Sequence, residues 1–132
     1  MTIDDTRGQI SVELVMILGL MVVLIMIVAG VSTPLSEEDA ALSSAREGAS
    51  EAIYNITVTN PSFPATRVTK IDMAGNSEKT ITITVHPTLP EKYEQQVIDS
   101  AMKSVTNQPI FTKTGQNTIS GRNYNYKIII NN

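Results

Sequence analysis

The run Leu14–Val31 constrains this chain more than any other stretch, because it holds no charged residue and is built almost wholly of Leu, Val, Ile and Met. At about 1.5 Å of rise per residue its 18 residues make a helix roughly 27 Å long, close to the hydrocarbon thickness of a bilayer. It is long enough to span. A secretory signal peptide cut behind its apolar region shows small residues in an A-x-A-like arrangement, and Ser32-Thr33-Pro34-Leu35 is a poor match. Processing is therefore expected in front of the run. Gly8-Gln9 follows the polar leader Met1–Arg7, and a cut between them leaves the apolar segment as the new N-terminus.

Glu13 stands at the edge of this span. A carboxylate taken into a membrane or a helix bundle costs several kcal/mol unless it is hydrated, neutralised or paired, so it asks for a partner. The plainer reading is a charge near a helix N-terminus, favoured there by about 0.3–1 kcal/mol and kept at the wet interface.

With the basic-Gly-Gln boundary, the acid and the long apolar run in this order, Arg7-Gly8-Gln9-Ile10-Ser11-Val12-Glu13-Leu14 resembles the class III signal peptide of archaeal type IV pilins. The resemblance covers Arg7 to about Gly30 and is architectural beyond it. It implies that a prepilin peptidase cuts between Gly8 and Gln9, reading Arg7, Gly8, Gln9 and Ser11 around the boundary. It also implies that Glu13, fifth in the mature chain, is an assembly residue. Bacterial Tad-type pseudopilins carry a similar Gly-Gln-x-x-Val-Glu pattern, so class is better defined than kingdom or subtype.

The chain has 132 residues, which leaves room for one modest domain beyond the membrane segment. It contains no Cys, which removes a disulfide framework, a thiol nucleophile and cysteine metal sites together, and assembly becomes the obvious source of extra stability. Net charge is −3 and the 10 basic residues are scattered, so nothing suggests nucleic-acid binding. Arg7 is the only base close to the span, and it weakly points the N-terminus inward.

Four segments are expected: a leader at 1–8, the transmembrane and assembly helix at 9–31, an amphipathic continuation at 32–54 and a head domain at 55–132. Pro34 lacks the N–H that an unbroken helical ladder needs, so a kink or a restart is expected there, with Thr33 or Ser36 as cap. Beyond it Leu35, Leu42, Ala45, Ala49, Ala52 and Ile53 fall on one face, rich in small residues that let helices approach closely. Strand signals follow: Ile56 and Val58 between Thr57 and Thr59, then Val68, Ile71 and Met73, then Ile81, Ile83 and Val85 alternating with Thr. Ala74-Gly75-Asn76-Ser77 reads as a hairpin turn between the last two. Pro90-Glu91 opens a second helix that carries Tyr93, Val97, Ala101, Met102 and Val105 and ends near Asn107 before Pro109. After a polar loop at Gly115–Arg122, Tyr124, Tyr126, Ile128 and Ile130 alternate as a closing strand. The expected class is α+β: a long N-terminal helix, then a small, mostly antiparallel sheet with one additional helix.

Catalytic constellations are missing at the level of their minimal parts. There is no G-x-G-x-x-G, G-x-S-x-G, P-loop or H-E-x-x-H. The lone His86 has no Cys or second His to share a metal with. The acids Glu37, Glu38 and Asp39, and Glu91 with Glu94, read as solvated or helix-start charges. Met16, Met21 and Met26 read as apolar filler of the span. No enzyme, no cofactor and no metal are expected. Asn55-Ile56-Thr57 is the one allowed N-x-Ser/Thr sequon, a candidate for N-glycosylation at Asn55.

The expected function is that of a structural subunit. On this reading the prepilin peptidase processes it, lipid holds it before assembly, and it then packs with itself and other pilins into an extracellular filament serving surface attachment. The competing expectation is a membrane-tethered extracellular binding module with an uncleaved anchor.

Overall fold

The computed structural model describes the backbone of residues 3–132 and the side chains of residues 11–30 and 37–132. Helix α1 is Ile3–Thr59, strand β1 Arg67–Ala74, β2 Glu78–His86 and helix α2 Glu91–Thr106; β3 is Thr112–Lys113, β4 Thr118–Ser120 and β5 Asn125–Asn131. The class is α+β, as expected. The chain divides into two compact units, Met1–Ser36 and Glu37–Asn132.

The described residues of the first unit are all helical. Its apolar stretch, Ser11–Gly30, is 20 residues long and none of it is buried. Arg7, Gly8 and Gln9 lie where side chains are outside the description, and so does the kink expected at Pro34. One helix is assigned through Thr33, Pro34 and Ser36, so no second helix starts at either proposed cap.

In the second unit, α1 from Glu37 onward buries a seam of small residues: Ala41, Ser44, Ala45, Ala49 and Ala52, ending in Ile53 and Ile56. Leu42, expected on this face, is only half-buried at its margin. The small side chains let α2 come close. A Cβ on Gly48 would lie 2.5 Å from the Ser100 carbonyl oxygen and 2.8 Å from the Ala101 Cα, so backbone meets backbone there. Two bonds tie the seam, the Ser100 hydroxyl donating to the Gly48 carbonyl at 2.9 Å and the Gln108 amide donating to the Ser44 hydroxyl at 2.6 Å. Against the same core α2 lays Val97, Ile98, Ala101, Met102 and Val105, the stripe its periodicity predicts, with Ile98 added. Tyr93 is half-buried and meets Phe63 edge-to-face at 5.3 Å between centroids.

The strand order is β1-β2-β5-β4-β3. The hairpin between β1 and β2 turns at Gly75, whose φ of 116° lies in the region that glycine adopts freely. In β2 the buried Ile81, Ile83 and Val85 alternate with half-buried Thr, the period that a sheet with one covered face requires. Strand β5 runs parallel to β2, placing Ile128 beside Ile81, and antiparallel to β4. The parallel pair needs a crossover connection, and the segment containing α2 supplies it.

Two expectations are corrected. Ile56–Thr59 is the last turn of α1 and not a strand. Ile53 and Ile56 sit three residues apart and are both buried, and the Thr57 and Thr59 hydroxyls donate back to the carbonyls of Ile53 and Asn55 at 2.8 Å each. Core contact at helical spacing therefore overrides β propensity. The helix stops where the Asn60 side chain donates to the Ile56 carbonyl at 3.0 Å and Pro61 follows. The stretch Gly115–Arg122, expected as a polar loop, holds strand β4, because Ile119 is fully buried and pairs with Tyr126.

Candidate functional site

The first candidate surface is the apolar helix. Between Val12 and Val28 fifteen large apolar side chains are exposed, Met16 and Met26 to about 70%. At about 1.5–3 kcal/mol for each such side chain left in water, the penalty exceeds the roughly 5–15 kcal/mol stability of a whole domain. Such a surface is compatible with insertion into a membrane. The stretch has the length and composition of a membrane span, and lipid or other apolar helices are the environments that remove the penalty. A notch interrupts it at Gly19, flanked by Met16, Ile17, Leu20 and Val23, where a Cβ would meet nothing within 4 Å. Ser11 and Glu13 are exposed, and among the described residues no ion pair involves the Glu13 carboxylate.

The second candidate is a residue expected to be solvated. Glu37 opens the second unit and is only 3% exposed. Its carboxylate accepts from four donors. The Asn123 backbone N–H lies 3.0 Å from Oε2 and the Asn123 side-chain amide 2.8 Å from it; the Tyr126 hydroxyl lies 3.0 Å and the Tyr124 backbone N–H 3.4 Å from Oε1. Gly121 completes the cradle: any Cβ there would collide with Oε1. Among the described residues no cation pairs with Glu37. The nearby Lys79 ammonium instead pairs with Glu38 Oε1 at 3.2 Å and lies 4.7 Å from the centre of the Tyr124 ring. The fully buried Tyr126 feels this arrangement. Burial first, then the hydrogen bond to Glu37 and its charge, raise the phenol pKa well above the ordinary tyrosine range. The arrangement locks the β4–β5 connection onto α1 through charge-assisted hydrogen bonds.

Glu37 had a signal in the sequence. It lies four residues before Ala41, which leads to Ala45 and Ala49 at the same spacing, so extending the buried stripe one step backward reaches it. Its partners Asn123, Tyr124 and Tyr126 carry no local signal, since they are more than 80 residues away in the chain.

A third feature is a groove of about 310 Å³ between α1 and β1, lined by Ser50, Ile53, Tyr54, Thr57 and the segment Ala65–Val68. Thr66 in its wall has a buried hydroxyl with no hydrogen-bond partner. Asn55 is exposed on α1, so its sequon lies on a helix, with the Thr57 hydroxyl engaged by the Ile53 carbonyl. His86 is exposed at the end of β2. Among the described residues no three His, Cys, Asp or Glu side chains cluster as metal ligands do. Compared with known proteins, the chain matches no family model and no curated protein sequence.

Proposed function

We propose that this chain is a pilin-like structural subunit, anchored in the membrane by its apolar helix, cut between Gly8 and Gln9 and then packed helix to helix into an extracellular filament. The observation that carries the reading is the wholly exposed helix Ser11–Gly30 in a chain whose second unit, Glu37–Asn132, has its own core. Its class III-like boundary at Arg7-Gly8-Gln9 supplies the processing step. Lipid is the first environment for the helix and neighbouring helices the second. Because lipid tails are as apolar as Leu and Val, close packing at notches such as Gly19 and the Glu13 contact select the lattice position. Once the leader is gone, the terminal amine of Gln9 in a neighbouring subunit is within the chemistry of Glu13. If that amine has cyclised, the Ser11 hydroxyl or backbone N–H groups near the helix start take its place. Surface attachment is the use such a filament serves.

The second reading, a tethered binding module, draws on the groove beside Thr66 and keeps the leader. N-terminal peptide mass spectrometry of the surface-exposed protein separates them. A chain beginning at Gln9, with or without loss of ammonia, supports the pilin reading. A chain beginning at Met1 or Thr2 overturns it in favour of the module.

A further inference from the structure

Strand β1 is the outer strand of the sheet, and among the described residues only β2 pairs with it. A free strand edge presents a row of backbone donors and acceptors that another strand can take up. Along it Ile71 and Met73 are half-buried, while Lys70 and Asp72 point outward with side chains 68% and 49% exposed and 2.8 Å apart. Charges and an irregularity such as the one between Val68 and Lys70 commonly guard an edge against indiscriminate pairing. Here the charges also specify a match.

We infer that β1 is a docking edge for a second copy of this chain, paired antiparallel about a two-fold axis at Ile71. Directly opposed residues of an antiparallel pair lie on the same face, so over the regular stretch Lys70–Asp72 only registers that keep Ile71 opposite a residue of its own face are allowed, and the irregularity between Val68 and Lys70 ends the regular match. Centring on Ile71 opposes Lys70 of each copy to Asp72 of the other, giving two complementary pairs. Centring on Lys70 opposes the two lysines, centring on Asp72 opposes the two aspartates, and centring on Met73 leaves Asp72 against Ala74. Like charges directly opposite are destabilising and unlike charges stabilising, so the sequence of the edge selects one register. The contact is isologous and therefore closes on itself. A filament grows by a contact that does not close, so β1 pairing joins two heads in addition to the helix packing of the filament, either before assembly or between filaments.

The test uses the full chain in detergent, in two differently tagged forms, with co-purification of the tags as readout. Lys70→Asp leaves two acids on the edge and Asp72→Lys leaves two bases, and far-UV circular dichroism checks that each variant remains folded. Each variant alone is expected to lose about tenfold in tag co-purification relative to wild type, and the mixture of the two is expected to recover it, more strongly at low salt. The mixture decides, because the doubly swapped chain would also restore the Lys70–Asp72 pair within one strand. Co-purification that ignores these charges, or a mixture no better than either variant alone, overturns the inference. Filament formation is scored separately and is expected to survive both substitutions.

Discussion

Replacing Glu37 by Gln keeps the size and shape of the side chain and removes its charge, so the loss it causes measures the cradle rather than a cavity. Both carboxylate oxygens face donors: Oε1 meets the Tyr126 hydroxyl and the Tyr124 N–H, and Oε2 meets the backbone and side-chain N–H groups of Asn123. Whichever way the Gln amide is turned, its NH2 confronts a donor at a site that is 3% exposed. Hydrogen bonds to a charged acceptor contribute about 1.5–3 kcal/mol, and a buried donor left unmatched costs about 1–3 kcal/mol. Because the four bonds act as one network, their losses do not add, and the expected destabilisation of the head is about 2–4 kcal/mol. That is a large part of a stability near 5–15 kcal/mol. Urea unfolding of the full chain in detergent, followed by circular dichroism, measures it. Tyr126→Phe in the same background is expected to return about 1 kcal/mol as coupling, by removing one of the confronted donors. A Glu37→Gln chain within about 0.5 kcal/mol of wild type would refute the reasoning and return Glu37 to the solvated face assigned to it by its neighbours Glu38 and Asp39.

Gly48→Ala improves intrinsic helix propensity by about 1 kcal/mol, yet its methyl would press on the Ser100 carbonyl and the Ala101 Cα at 2.5 and 2.8 Å. A net loss of about 1–2 kcal/mol is expected in thermal melting, and a gain would show that α1 and α2 are not in close contact. For Tyr126 the raised pKa fixes the sign of a pH effect: below the ordinary tyrosine pKa the phenol is neutral in both states and contributes no slope, whereas above it the unfolded chain ionises and the folded one does not. Stability should fall with rising pH above about 10, by up to about 1.4 kcal/mol per unit, and Tyr126→Phe should remove that part of the slope. On the proposed pilin reading, Glu13→Val is expected to leave insertion, processing and the head intact while filaments fail or thin, as seen by electron microscopy beside an immunoblot for mature subunit. Wild-type filament yield from that variant would reduce Glu13 to a helix-terminus charge.

What the sequence determined by itself are the features whose cause is local. The apolar helix follows from a charge-free run, and no tertiary contact is needed to read Leu14–Val31 as long and apolar enough to cross a membrane. The β1–β2 hairpin follows from Gly75 between two alternating runs, and α2 from an apolar stripe at helical spacing behind Pro90. What tertiary structure alone decided are the places where two local preferences compete or where the partner is far away in the chain. Ile56 and Val58 between threonines satisfy a strand pattern as well as a helix end, and burial of Ile56 beside Ile53 chose the helix. Thr118–Ser120 is too short and polar to announce a strand, and it exists because Tyr126 holds Ile119 in the core. The parallel pairing of β2 with β5 depends on a crossover that no short window contains. Glu37 is the sharpest case: three consecutive acids look alike in sequence, and only the fold brings Asn123, Tyr124 and Tyr126 to one of them, so that desolvation of a carboxylate is offset by four donors instead of being avoided.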